Sequence, residues 1–334
     1  MVDISIVVPI YNEEETLHVL CEELNTITSE IKQSSFSQER KDAIGNIEIL
    51  FINDGSTDNT LAILKSMVET GSLYRYINLS RNFGHQAAVS AGLQWARGNA
   101  VIIMDGDLQD PPSLIKDMVE KWKQGFDVVY AVKRKRKASF LKNSAYKFYY
   151  RFQTLISDHT TQKDSGDFSL LDRKVVDVIN RLPEKGKYIR GLRSWVGFKQ
   201  IDVEYDRIER KMGKSKYSFS KLIKLAFSGI LSTSVKPLFL SGVMSAVSIL
   251  VAIGLVGFAV ISKIYFSADL MPKGWTSLMV TISLFSASLL LSIWVLSLYI
   301  AKIYQEILAR PSYVVEHDSL EEDKKRRGPQ VTNT

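Results

Sequence analysis

The chain has 334 residues, 43 Lys and Arg against 36 Asp and Glu, a formal net charge of +7 and one cysteine. That length exceeds one ordinary domain, the lone Cys21 excludes a disulfide framework, and the scattered histidines give a zinc site no support. The basic excess raises nucleic acid as a partner, but the aromatic and basic modules and the zinc spacings of nucleic-acid binders are missing, so none is expected.

The first element, Ile4-Ser-Ile-Val-Val-Pro9-Ile-Tyr11-Asn12-Glu13-Glu14-Glu15, reads as a strand running into a helix start. Asn12 with Glu15 three residues on predicts an N-cap and capping box, and Leu17, Leu20, Leu24, Ile27 and Ile31 continue a helical apolar stripe that also carries Cys21. Ser34 to Asn46 is polar and predicts a surface loop. Ile47-Glu-Ile-Leu-Phe-Ile52 is a second strand, delivered into Asn53-Asp54-Gly55-Ser56-Thr57-Asp58. Tyr76 to Leu79 repeats the plan with Ser80-Arg81-Asn82-Phe83-Gly84-His85-Gln86 behind it, and only this His85 among the histidines falls near the predicted ligand edge.

A fourth apolar run, Val101-Ile-Ile-Met104, stops at Asp105-Gly-Asp107-Leu-Gln109-Asp110-Pro-Pro. Carboxylates one residue apart at the C-terminal edge of a strand are hard oxygen ligands where open α/β sheets bind ligands, so a divalent cation is their natural occupant. Mg2+ or Mn2+ held by one or two carboxylates keeps positions open for the phosphates of a bound substrate, which points to a nucleoside diphosphate. A solvated acidic turn is the simpler alternative for a bare Asp-x-Asp, but four polar strand ends on one edge favour a nucleotide pocket in a parallel sheet.

Further along, the strand Phe126 to Val132 runs into Lys133-Arg134-Lys135-Arg136-Lys137, which is either a solvated loop or a set of cations for a diphosphate or phosphate. Arg190 and Arg193 in Tyr188-Ile-Arg-Gly-Leu-Arg-Ser-Trp195, and Lys214 and Lys216 in Arg210-Lys-Met-Gly-Lys-Ser-Lys-Tyr217, pose the same choice. Residues 216–231 alternate an apolar face with lysines, the pattern of an interfacial helix or of an amphipathic core helix. No charge appears from Pro237 to Ser262 or from Gly274 to Ala301, and each stretch exceeds the ~20 residues that span a bilayer. The Lys263 to Lys273 connection makes them a hairpin, with Tyr265 and Trp275 suited to the far interface. Lysines crowd the other side, so the N-terminal domain is expected in the cytoplasm, with no signal segment before it. The tail after Arg310 reads as disordered.

The ordered set Val-Val-Pro-Ile-Tyr-Asn-Glu-Glu, Asn-Asp-Gly-Ser-Thr-Asp, Ser-Arg-Asn-Phe-Gly and Asp-Gly-Asp-Leu-Gln-Asp-Pro-Pro resembles family 2 glycosyltransferases of the GT-A fold. More narrowly, over roughly residues 4–235, it resembles the polyprenyl-phosphate glycosyltransferases. The resemblance implies an α/β domain with a mostly parallel sheet over 1–215; the apolar and charge pattern gives an interfacial helix over 216–234, two transmembrane helices over 235–302 and a cytoplasmic tail over 303–334. It implies that Pro9, Tyr11, Glu13, Asp54 and Asp105 bind the nucleotide, that Asp105, Asp107 and Gln109 hold Mg2+ or Mn2+, and that Asp167 faces sugar and acceptor. Asn53 departs from the Asp that many relatives carry. Pro9 and Tyr11 could instead shape a turn, and Asp167 could cap the helix that follows it. Lys133, Arg136, Arg190, Arg193, Lys214 and Lys216 are candidate contacts to diphosphate or acceptor.

The expected reaction is inverting transfer of a sugar, glucose first, from a nucleotide diphosphate sugar to a polyprenyl phosphate, undecaprenyl phosphate in bacteria, at the membrane. UDP-glucose precedes UDP-N-acetylglucosamine and GDP-mannose as donor, and self-association is left open. A processive polysaccharide synthase is the alternative enzyme, although Arg190-Gly-Leu-Arg193-Ser-Trp195 lacks the Gln of its Gln-x-x-Arg-Trp string; a non-catalytic membrane scaffold is the alternative outside enzymes.

Overall fold

A computed structural model describes residues 2–36, 44–70, 73–133, 165–206 and 274–319, with isolated helical positions between 243 and 261. In chain order the described elements are β1 (Ile4–Ile10), α1 (Leu17–Phe36), β2 (Ile47–Asn53), α2 (Thr60–Thr70), β3 (Tyr74–Leu79), α3 (His85–Trp95), β4 (Ala100–Ile103) and α4 (Leu114–Lys123). They continue with β5 (Val128–Lys133), β6 (Ser165–Asp172), α5 (Arg173–Arg181), α6 (Ile189–Trp195), β7 (Gln200–Tyr205), α7 (Trp275–Ile307) and β8 (Val315–Asp318). The chain divides into two compact units, one carrying all these strands with α1 to α6, the other carrying α7.

In the first unit the strands form one sheet in the order β7-β5-β6-β4-β1-β2-β3-β8. β4, β1, β2 and β3 run parallel, as do β5 and β7, while β6 is antiparallel to both its neighbours and β8 is antiparallel to β3. The central strands read as unbroken apolar runs because helices cover both faces. Alternation sends Ile4, Ile6, Val8, Phe51 and Ile102 to the core shared with α1 and α4, and Val7, Leu50, Ile52 and Ile103 to the core shared with α3 and α5. From β1 the chain steps outward through β2 to β3, then returns to lay β4 on the other side of β1. The β1/β4 boundary is therefore the switch point where such sheets open a ligand crevice at their C-terminal edge.

Two expectations change, and one is described only in part. No Asn12–Glu15 capping box forms: α1 begins at Leu17, its first turn hangs on the Glu13 carbonyl, and Asn12, at φ 54°, turns its side chain to the Thr57 N–H at 2.8 Å. The tail after Arg310 is ordered as far as Ser319, because β8 pairs with the β3 edge and buries Asp318 beside Arg75, 3.2 Å apart. Of the two apolar stretches, α7 contains the one helix among the described residues that is long and apolar enough to cross a membrane, Leu284–Tyr304. The first stretch is described only at isolated helical positions, and the 216–234 helix and the loop holding Tyr265 lie outside the described residues. Cys21 is buried against Met67, as its place on the stripe predicts.

Candidate active site

Pro9 is buried in β1 beside the switch point. Val7 accepts from the Met104 N–H and is the last β1 residue paired with β4, so the N–H that Pro9 lacks falls beyond the end of that ladder. Beyond the ladder the chain after β4 stays close to β1: a Cβ on Gly106 would lie 2.8 Å from Ile10 Cγ2. Tyr11 follows at the mouth, 39% exposed, an aromatic face offered to solvent at a strand end.

The loops after β1 and β2 are laced together. Asn12 N–H donates to Ser56 Oγ at 2.9 Å, Glu13 N–H to Thr60 Oγ1 at 3.0 Å, and Asn59 N–H to Glu14 Oε2 at 2.9 Å. Asp54 is buried, and its two carboxylate oxygens accept the Phe83 and Gly84 N–H groups at 2.7 and 2.9 Å. Burial raises its pKa against the pull of those donors. Asp54 thus joins the β2 and β3 loops, with Gly55 at φ +65° where a Cβ would strike the Arg81 backbone at 2.4 Å.

Across the switch point stand the acidic residues after β4. Asp107 Oδ1 accepts the Gln109 N–H at 3.2 Å, closing the turn, and Asp110 is buried under the Tyr205 hydroxyl, which donates to it. Asp105 is half-buried, and its Oδ1 is enclosed without a hydrogen bond. Burial, with the nearby Asp167, Asp110 and Asp107 charges, pushes its pKa up to about 6 against the opposing His85.

His85 and Gln86 begin α3 and point at β6. His85 Nε2 lies 3.3 Å from Asp167 Oδ2 and 3.6 Å from Asp105 Oδ1; Gln86 Nε2 donates to Asp167 Oδ2 at 3.4 Å while its Oε1 accepts the Ile189 N–H. From α6, Arg190 Nε donates to Asp167 Oδ1 at 3.3 Å and its other arm lies 3.3 Å from Oδ2. Burial alone would raise the Asp167 pKa, but the His85 hydrogen bond and the Arg190 charge overcome it and hold the carboxyl well below the usual range. Burial likewise opposes charge on His85, yet Asp167 and Asp105 win and raise its pKa. Asp167 does not cap the next helix; Asp172 does, accepting the Lys174 N–H at 3.0 Å.

The structure therefore brings Asp105, Asp167 and Arg190 together and adds His85 and Gln86, which the sequence had left without a role. Arg193 is 1% exposed, donates to the Gly166 carbonyl at 3.1 Å and stacks 5.0 Å from the Tyr130 ring. It is a prop under β6, and burial lowers its pKa to about 10. Lys133 ends β5, while Arg136, Lys214 and Lys216 lie outside the described residues.

The donor set suits a divalent cation only in part. Among the described residues no three His, Cys, Asp or Glu side chains gather at metal-binding spacing. Yet Asp105 keeps an enclosed oxygen with no hydrogen bond inside an acidic group, the setting of a cation completed by substrate phosphates.

A mostly parallel sheet with carboxylates at the strand ends beside its switch point has the form of a ligand-binding α/β fold, and the family follows from the sequence. The chain belongs to glycosyl transferase family 2, whose profile matches residues 5–179. It is 43% identical over 314 residues to the uncharacterized glycosyltransferase YkcC of Bacillus subtilis, covering 93% of each chain. It is 36% identical over 320 residues to the bactoprenol glucosyl transferase of Shigella phage SfV, covering 94% of this chain and 98% of that one. A solved structure, the mannosyltransferase PcManGT of Pyrobaculum calidifontis with GDP-Man and Mn2+, is far more distant, at 16% identity and a TM-score of 0.41 over 87% of both chains.

Proposed function

We propose that this transferase moves a sugar, glucose first, from a nucleoside diphosphate donor to a polyprenyl phosphate at the cytoplasmic membrane face, inverting the anomeric carbon. The observation that carries the chemistry is Asp167, held anionic between His85 and Arg190 beside Asp105. A carboxylate so acidic is a poor base. The acceptor needs none, because a phosphate monoester has a second pKa of about 6 and is already largely anionic at neutral pH. Direct attack by its oxygen forms the new bond to the anomeric carbon as the bond to the donor diphosphate breaks, with no proton to remove. Asp167 then positions: it aims His85 and Arg190 at the place where phosphate charge gathers. Tyr11, Pro9 and Glu13 shape the nucleoside end of the crevice, with Asp54 fixing the loops behind them. Asp105 and Asp107, with Gln109, would hold Mg2+ or Mn2+, which when bound neutralises charge on the departing diphosphate.

The lipid partner follows from the bactoprenol glucosyl transferases among the relatives and from α7, about 50 Å of mostly exposed apolar helix at 1.5 Å per residue. Within the second compact unit Ser248 Oγ donates to Ser288 Oγ at 3.0 Å, which supports a hairpin of the two apolar stretches. Basic residues flanking that hairpin on one side support a cytoplasmic catalytic unit.

The test is the full chain in detergent with undecaprenyl phosphate and, in turn, labelled UDP-glucose, UDP-N-acetylglucosamine and GDP-mannose. Label entering the lipid fraction from one donor is expected. Hydrolysis without lipid labelling from every donor would overturn the reading.

A further inference from the structure

We propose that Glu316, on the C-terminal strand, is a positioning residue for the nucleotide pocket, acting through a one-way chain of hydrogen bonds. This rests on the reading that the loops after β1 and β2 hold the donor nucleotide. Asn12 N–H donates to Ser56 Oγ at 2.9 Å, and Ser56 Oγ donates to Asn53 Oδ1 at 2.5 Å. Asn53 Nδ2 donates to Asn78 Oδ1 at 2.6 Å, and Asn78 Nδ2 donates to Glu316 Oε2 at 2.7 Å. Glu316 is 238 residues from Asn78 in sequence and reaches it only because β8 lies along β3.

Both ends fix the direction. The Ser56 N–H, 3.3 Å from Asn53 Oδ1, can only donate, so Asn53 must turn its oxygen that way and its NH2 toward Asn78. A carboxylate at 316 can only accept, so Asn78 must turn its NH2 outward and its oxygen inward. Asn53 and Asn78 are buried at 0% and 4% exposure, where a misdirected amide is costly and aligned bonds strengthen one another. The polarity makes positions 53 and 316 interdependent. A carboxylate at 53 would reverse Asn78 and set its oxygen against Glu316; an amide at 316 would then restore a donor at that end.

The experiment uses the full-length protein in detergent, titrated with UDP and with GDP, each with Mn2+. It compares wild type, Glu316→Ala, Asn53→Asp and the double variant Asn53→Asp with Glu316→Gln. Backbone hydrogen exchange over residues 11–16 and 54–59 is followed in parallel. Glu316→Ala should weaken nucleotide binding about three- to tenfold, the scale of one partly exposed charged hydrogen bond, and speed exchange in both loops. Asn53→Asp should weaken binding more, and the double variant should recover most of that loss. Wild-type affinity and exchange in Glu316→Ala, or a double variant no better than Asn53→Asp, overturns the proposal. If the buried Asn53→Asp variant does not fold, Glu316→Ala decides alone. A wild type that binds neither nucleotide overturns the functional reading, and the exchange rates still decide the relay.

Discussion

His85 Nε2 stands 3.3 Å from Asp167 Oδ2, so the first residue of α3 carries an imidazole to a carboxylate of β6 whose pKa it helps to depress. β4 lies between the two strands that lead to them, and its own Asp105 completes the contact at 3.6 Å. The arrangement places two acids with different tasks around one imidazole. Burial leaves Asp105 close to neutral pH, where a cation would hold it ionised, whereas Asp167 is ionised already.

Asp167→Asn removes the charge that orients His85 and Arg190. Transfer should fall about a hundredfold or more, the scale of losing a preorganised electrostatic contact, while nucleotide binding stays within a few fold. The variant also has a pH signature. The depressed Asp167 contributes stability above its unfolded pKa of about 3.9 and loses it on acidification; the raised His85 contributes below about 6.5 and loses it as pH rises. The melting temperature of wild type relative to Asp167→Asn should therefore peak between about pH 4 and 6.5. A difference that does not vary with pH would refute the pairing.

Asp107 is half-buried in the turn after β4 and outside both cores, so Asp107→Ala should lower the melting temperature by only a few degrees, about the scale of one turn hydrogen bond, yet abolish transfer. EDTA should abolish wild-type transfer, and added Mn2+ or Mg2+ should restore it. Full activity of either in metal-free buffer would remove the cation from the scheme.

The ion pair of Arg75 with Asp318 is buried, each side chain about 5% exposed. Asp318→Ala leaves the guanidinium without that partner, and breaking a buried pair from one side costs about 3 kcal/mol or more. For a unit of this size that lowers the melting temperature by roughly 6–12 °C. Scanning calorimetry reads it, and an unchanged melting point would mean that β8 contributes nothing to the sheet.

The four strand ends were legible because each pairs a strand-forming run with a polar turn; their order in the sheet was not, because it is set by pairings between segments distant in sequence. The β8 strand was not: Val-Glu-His-Asp sits in a charged tail and becomes a strand only against the unpaired edge of β3. The false capping box has the same origin, since Asn12 meets a better donor in Thr57, 45 residues away. His85 shows the limit for the site itself. Its meaning depends on Asp167, 82 residues on, which local pattern does not connect to it.

That hidden strand alters what truncation should do. A chain ending at Ser234 keeps Tyr11, Asp105, Asp107 and Asp167 but loses β8, so it exposes the β3 edge and strips Asp318 from Arg75. It should melt well below the full chain, and its nucleotide affinity should fall with it. Replacing 235–308 by a long Gly and Ser linker instead keeps β8 available to the edge, and should restore both properties. Neither protein retains the apolar stretches, so both should lose transfer to undecaprenyl phosphate in membranes. The linked protein should still act on a short, water-soluble prenyl phosphate, because there the missing helices supply encounter and not catalytic groups. Equal melting temperatures and affinities for the two proteins would show that β8 is dispensable. Loss of nucleotide binding in a folded, linked protein would show that nucleotide binding needs residues within 235–308.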